Sequence, residues 1–258
     1  MSPMRIITWN VNSLRARLPR VLEFLTQFAP DVACLQETKC APDTFPADEL
    51  AASGYAAVHN SGGQWAGVAI LARSGHELTD PLLGLGGDPV PDEARWCEAT
   101  VDGVRVASVY VPNGRTLDSP EFPRKLAFLE AIAARAGGLA PQPLVIAGDM
   151  NIAPTDADVY DPAAFVGSTH VTPDERGRLE RILATGLVDA YRDLHPDEVQ
   201  YTWWDYRAGH FHKGLGLRID LALISADLAP RLQACGMVRD YRKGHKPSDH
   251  APLLLELA

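Results

Sequence analysis

Positive charge is scarce in this sequence. Its 258 residues hold 24 Lys and Arg against 33 Asp and Glu, a net charge of −9, which argues against a protein that coats nucleic acid through a general basic surface. The deficit is uneven: residues 1–200 carry 16 Lys and Arg against 27 Asp and Glu, whereas residues 201–258 carry 8 against 6. An enzyme that holds a polyanion locally, around a carboxylate-lined metal site, could show such a balance. Cysteine is scarce too. Cys34, Cys40, Cys97 and Cys235 form no CxxC pair, so they read as free thiols in a reducing compartment rather than as a disulfide framework. No apolar run approaches the length that spans a bilayer. Met1-Ser-Pro-Met-Arg5 leads straight into a strand pattern without an apolar stretch or a cleavage site, so a cytoplasmic protein with no membrane partner is expected. Repeats, low-complexity tracts, a phosphate-binding GxxxxGK loop and a HExxH zinc helix are all missing.

What is present is an alternation of short apolar strands and amphipathic helices. Residues 4–9 and 31–36 read as strands, and Leu18, Val21, Leu22 and Leu25 recur between them at helical spacing, with Pro19 placed in a first helical turn. Shorter strands follow at 55–59, 66–72, 95–101 and 104–111, the last two joined by the Asp102-Gly103 hairpin signal. A helix over about 123–136 is expected to stop at Gly137-Gly138, and Leu144–Ala147 is a buried strand. Thr172 and Glu175 make a capping box with Pro173 at the first helical position, opening a helix that ends near Gly186. Residues 218–224 and 252–257 are strands again. With 46 % hydrophobic residues to bury, this predicts an α/β (α+β) fold, two β-sheets packed face to face with helices outside, as one domain over 1–258.

Polar residues collect where these strands end. Trp9-Asn10-Val11-Asn12, Gln36-Glu37-Thr38, Gly148-Asp149-Met150-Asn151 and Ser248-Asp249-His250 each place carboxylate, amide or imidazole groups at or just past a strand, and Arg218-Ile219-Asp220 places an acid at a strand's start. Strand ends feeding loops are where catalytic groups gather on a rigid scaffold. Each motif alone is weak, because Gly-Asp and Asn are common turn formers. Their conjunction, in this order, is not.

The chain resembles the exonuclease III branch of the endonuclease/exonuclease/phosphatase superfamily. The resemblance runs through Ile7–Ala16, Leu35-Gln36-Glu37-Thr38-Lys39, Tyr110-Val111-Pro112-Asn113, Gly148–Asn151, Tyr201–Arg207, Leu217-Arg218-Ile219-Asp220 and Pro247–Pro252, nearly the whole chain in family order. It implies a four-layer, DNase I-like sandwich, a monomer with no obligate protein partner, and a Mg2+ (or Mn2+) dependent phosphodiesterase. The implied substrate is double-stranded DNA with abasic sites or 3′ ends. A phosphodiester is anionic with a poor leaving group, so a hard cation on oxygen ligands suits its hydrolysis. The resemblance assigns Glu37 and Asn10 to the metal, with Asn12 and Asp249 contributing directly or through water. Asp149 would deprotonate or orient the attacking water, with Asn151 holding its geometry. His250, set by Asp220, would stabilise charge on the phosphate. Tyr110 and Asn113 would donate to phosphate oxygens, and Trp203, Leu217 and Ile219 would line a small apolar pocket for a sugar lacking its base. Arg115, with Arg15, Arg207, Lys213, Arg242, Lys243 and Lys246, are candidates for flanking phosphates.

Two departures stand out. The segment between Asn151 and Thr172 is shorter than in the best-known bacterial relatives, which bears on the balance between exonuclease and abasic-site cutting. Asn12 stands where the eukaryotic branch tends to have an acid. Two other readings compete: a superfamily phosphatase or phosphodiesterase acting on inositol phosphates or phospholipids, and an inert relative serving as a binding module. Trp203–Arg207 and Leu217–Asp220 count against the first, and the full set of Glu37, Asp149, Asn151, Asp220 and His250 against the second.

Overall fold

A computed structural model describes residues 3–258, so Met1 and Ser2 of the expected domain lie outside it. The chain runs β1 (Met4–Asn10), α1 (Leu14–Phe28), β2 (Val32–Gln36), α2 (Ala47–Ala52), β3 (Tyr55–Asn60), β4 (Val68–Arg73), β5 (Leu78–Leu83), β6 (Trp96–Val101) and β7 (Val104–Tyr110). It continues through α3 (Glu121–Leu139), β8 (Leu144–Asp149), α4 (Pro173–Leu183), β9 (Leu187–Asp189), α5 (Ala190–Leu194), α6 (His210–Lys213), β10 (Asp220–Ser225), β11 (Leu232–Met237) and β12 (Leu253–Leu257). The strands form two six-stranded sheets, ordered β11-β12-β1-β2-β4-β3 and β5-β6-β7-β8-β10-β9. In each sheet one central pair is parallel, β1 with β2 and β7 with β8, and each pair is linked through a helix.

The strands are apolar on both faces because both faces are covered. Ile6, Val32, Ile70, Val106, Val145 and Ile224 meet between the sheets. Their neighbours in sequence point outward. Ile7, Trp9 and Leu35 pack under α1 with Phe24 and Leu25, and Ile146, Leu221 and Leu223 pack under α3 and α4 with Phe128, Ile132 and Ile182. The result is the four-layer helix–sheet–sheet–helix arrangement expected.

Local signals set most boundaries. Asp102 and Gly103 take φ of 47° and 81°, the left-handed pair a two-residue hairpin needs. Thr172 caps α4 reciprocally with Glu175, behind Pro173. Three expectations need correction. α1 is capped by Ser13, so Pro19 lies in the second turn rather than the first; burial of Leu14 draws the helix start forward. α3 runs through Gly137 and Gly138 to Leu139, because Ala136 and Leu139 are both held in the core beneath it. The edge strands β5, β9 and β11 carried no readable pattern. They pair on one side only, and β5, with its internal Pro81, is mostly exposed.

Candidate active site

Strand register brings the chemistry together. In the second sheet Tyr110 pairs with Asp149 across β7 and β8, and Asp149 pairs with Asp220 across β8 and β10. Three chemically useful side chains from three strands therefore stand at one level. In the first sheet Asn10 pairs with Gln36, which sets Glu37 beside it at the same rim. Trp9 Nε1 donates to the His250 carbonyl at 3.2 Å and Ser248 Oγ to the Asn10 carbonyl at 2.7 Å, stitching the loop before β12 onto the end of β1. Asn12, Glu37 and Asn151 hold positive φ of 44°, 50° and 51°. Such backbone persists only where its surroundings over-determine it, and here tertiary bonds do. Ser13 N donates to Glu37 O at 2.7 Å and Thr38 N to Gly67 O at 3.0 Å.

The polar groups form one network. Asn10 Nδ2 donates to Glu37 Oε1 at 2.8 Å and to Asp149 Oδ2 at 2.9 Å, while its Oδ1 accepts the Asn12 N–H. Asn10 thus turns its amide nitrogen, not its oxygen, to the two carboxylates. Asp149 Oδ1 accepts from Asn151 N at 3.0 Å, and His250 Nε2 lies 3.7 Å from Asp149 Oδ2. Asp220 Oδ2 sits 2.8 Å from His250 Nδ1. Asp249 is committed elsewhere: its two oxygens accept from Asn12 Nδ2 at 3.0 Å and Trp203 Nε1 at 3.1 Å. Asn113 Nδ2 reaches Asn151 Oδ1 and His170 Nε2, both at 3.3 Å.

Burial and crowding of like charge set the protonation states. Asp149 is pushed up to about 7, first by burial, against the pull of His250, and further by Asp220 and Glu37. Burial alone would lower His250, but the Asp220, Asp149 and Asp249 carboxylates outweigh it and raise the imidazole to about 10. Burial, with the Glu37 and Asp149 charges, holds the Tyr110 hydroxyl well above its ordinary range, so it stays a neutral donor.

Glu37, Tyr110, Asp149, Asp249 and His250 line a cleft of ≈ 330 Å³ that also includes Trp203, Leu217 and Ile219, whereas Asn10, Asn12 and Asp220 are not in its lining. Leu217 and Ile219 belong to an apolar cluster with Val159, against which Trp203 and Phe165 pack. Arg115 is not in the cleft. Its side chain is 73 % exposed beside Glu121, in a neighbouring groove that shares only Tyr110 and Asn113 with the cleft. Arg242, read as a surface contact, is buried and donates to the Asp249 and Trp204 carbonyls. Arg207 reaches the cleft wall with its guanidinium already paired to Asp205.

Several contributors carried no local signal in the sequence. His170 lines the cleft, its ring held neutral chiefly by burial. The fully buried Lys125 donates to the Asn113 and Asn151 carbonyls and pairs with buried Glu175, which also accepts the His170 N–H. Thr202 Oγ1 accepts from both Ile219 N and Asp220 N. Glu175 was legible only as the partner of Thr172 in a helix cap, whereas Lys125 and Thr202 meet their partners at least 12 and 15 residues away in sequence.

One ligand atom each from Glu37, Asp149 and His250 falls within 4.8 Å of the others. His250, charged through Asp220, serves better as a hydrogen-bond donor than as a ligand. What remains is a pair of hard oxygen donors, Glu37 and Asp149, with surplus negative charge. That chemistry fits a hard divalent ion such as Mg2+ or Mn2+ rather than a soft one.

The Endonuclease/Exonuclease/phosphatase family profile matches residues 7–250. The DNA repair nuclease APEX1 of Danio rerio is 33 % identical over 265 residues, covering 99 % of this chain and 82 % of its own. Exodeoxyribonuclease III of Haemophilus influenzae is 32 % identical, covering 98 % of this chain and 99 % of its own. Among solved structures, the 3′ phosphatase NExo from Neisseria, bound to product DNA hairpin, superposes with a TM-score of 0.95 at 40 % identity and 99 % coverage of both chains. Among the described residues no helix is long and apolar enough to cross a membrane.

Proposed function

Because the chain belongs to the endonuclease/exonuclease/phosphatase family, in its exonuclease III and AP endonuclease branch of DNA-repair hydrolases, we propose that it is a Mg2+-dependent hydrolase of phosphate esters in duplex DNA. Its activities would be 3′-to-5′ exonuclease, 3′-phosphatase and abasic-site endonuclease, in base excision repair, with residues 1–258 acting as one catalytic domain. The observation that carries this reading is the approach of His250 Nε2 to within 3.7 Å of Asp149 Oδ2, beside Glu37 and at the floor of a cleft walled by Trp203, Leu217 and Ile219.

Glu37 would hold a divalent ion, with Asn10, Asn12 and Asp249 contributing directly or through water once their present hydrogen bonds give way, and the ion would supply charge neutralisation for the phosphate and the leaving oxygen. Asp149, matched to neutral pH by its burial, takes the proton of the attacking water, and the Asn151 N–H fixes the orientation of its carboxylate. Asp220 locks the His250 ring so that Nε2–H points at the phosphate, where its charge stabilises the transition state. Tyr110, beside Asp149 in the same sheet, and Asn113 donate to the phosphate oxygens. The apolar pocket receives a sugar at a 3′ terminus or one lacking its base. Such a pocket favours a sugar lacking its base by size rather than by reading bases.

The test uses three labelled duplexes, with a 3′-phosphate, a recessed 3′-hydroxyl and one internal abasic analogue, each incubated with Mg2+ or EDTA. Metal-dependent turnover of the 3′-ended substrates and incision 5′ to the lesion are expected. Inertness towards all three, with phosphate released from inositol phosphates instead, would refute the reading.

A further inference from the structure

Lys39 takes no part in the chemistry above, yet its ammonium ends inside the polar site. Nζ lies 2.7 Å from Glu37 Oε2 and 2.7 Å from Asn12 Oδ1. It therefore bridges two of the oxygens that the metal reading gives to the divalent ion. A Lys two residues from its carboxylate partner is ordinarily a loose surface pair of small consequence. Here the backbone removes that freedom. Glu37 and Lys39 both have a φ of 50°, so the chain doubles back, with Thr38 between them fully buried. Thr38 N and Lys39 N donate to the Gly67 and Ala66 carbonyls at 3.0 and 2.9 Å, while the Glu37 and Thr38 carbonyls accept from Ser13 and Leu14. Gly67 is needed for that clasp, since a Cβ there would stand 2.1 Å from Thr38 Oγ1. The Lys39 side chain is 25 % exposed, at the end of a rigidly held loop.

We propose that Lys39 is a resident competitor for the divalent ion: its ammonium seals Glu37 and Asn12 in the metal-free site and is displaced when metal binds. The inference rests on the reading that Glu37 holds such an ion. Without metal, His250, Lys125 and Arg242 bear on Asp149, Asp220 and Asp249, but the cation in direct contact with Glu37 is the ammonium 2.7 Å away. A divalent ion that used Glu37 Oε2 or Asn12 Oδ1 would have to displace Nζ from them, since both oxygens already accept from it. The repulsion between ion and ammonium also sets a threshold that weakly bound cations do not pass. Lys39 is thus a positioning and selectivity residue rather than a catalytic one.

The experiment compares the full-length protein with Lys39→Met and Lys39→Arg by calorimetric titration of Mg2+ and Mn2+ without DNA, and by thermal melting in EDTA and in Mg2+. Lys39→Met should lower Kd for both ions by about fivefold or more, the factor from one unit-charge interaction at about 4 Å in water. It should melt earlier than wild type in EDTA and gain more from added Mg2+. Lys39→Arg, which keeps the charge, should not tighten binding. In the wild type, the 15N ammonium signal of Lys39 should be protected in EDTA and lost on saturation with Mg2+. A Lys39→Met variant with unchanged or weaker Kd, a Lys39→Arg variant that tightens, or an ammonium signal that persists with metal bound overturns the inference and leaves the metal reading standing. A wild type that binds no divalent ion overturns both.

Discussion

Replacing Asp220 by Asn keeps the shape of the His250 support and removes its charge. In the folded protein Asp220 Oδ2 lies 2.8 Å from His250 Nδ1, with both side chains almost fully buried. Burial pulls the imidazole down while Asp220 leads the three carboxylates that raise it to about 10. At pH 8 the wild-type ring is therefore charged in all but about one molecule in a hundred. Without Asp220, burial is opposed only by Asp149 and Asp249; a ring brought back to the ordinary value of about 6.5 would be only about 3 % charged at pH 8. Loss of the charged donor alone then costs about thirtyfold in rate at pH 8, and little at pH 5.5, where either ring is protonated. The measurement is the single-turnover rate on a 3′-phosphate duplex at saturating Mg2+, for both proteins, from pH 5.5 to 9. The ratio of wild-type to variant rate should climb steeply across that range. A ratio that stays flat with pH would mean that Asp220 acts by holding geometry alone, and the electrostatic argument would fail.

Two stability predictions follow from the same network. Asp149 has a folded value of about 7 against an ordinary 3.8, so the folded state binds this proton more tightly than the unfolded chain. Its contribution is present below about pH 4 and lost as pH rises through 7. In EDTA, the wild type should therefore melt progressively earlier than Asp149→Asn as pH rises from 4 to 7; parallel melting curves would contradict the assignment. Lys125→Met strands the buried Glu175 carboxylate beneath Asn151 and His170, and should cost about 3–5 kcal/mol in urea unfolding with the m-value unchanged. A loss below about 1 kcal/mol would show that the pair is not holding the loops together.

Much of the fold was readable from local pattern, with exceptions. β1, β8 and β10 announced themselves as apolar runs because both faces are buried, and Thr172–Glu175 and Asp102-Gly103 because capping and hairpin geometry are local chemistry. β5, β9 and β11 are edge strands without a readable apolar pattern, whereas β3, the fourth edge, was legible at 55–59. Gly137 and Gly138 misled because packing of Leu139 outweighs the helix-stopping tendency of two glycines. At the site, the motif residues Asn10, Glu37, Asp149, Asn151, Asp220 and His250 do converge. Arg115, a candidate for a flanking phosphate, lies outside the cleft in the groove next to it.

The sequence by itself determined which donors are available and that each sits at the end of a strand, because strand periodicity and turn chemistry act over a few residues. Only the tertiary structure decided the rest. Register placed Tyr110, Asp149 and Asp220 at one level, and the packing of sheet on sheet brought Asn10 to Asp149 across 139 residues of chain. The direction of every pKa shift in the cleft, and the return of Lys39 onto Glu37, depend on burial and through-space distance. Neither quantity exists until the chain is packed.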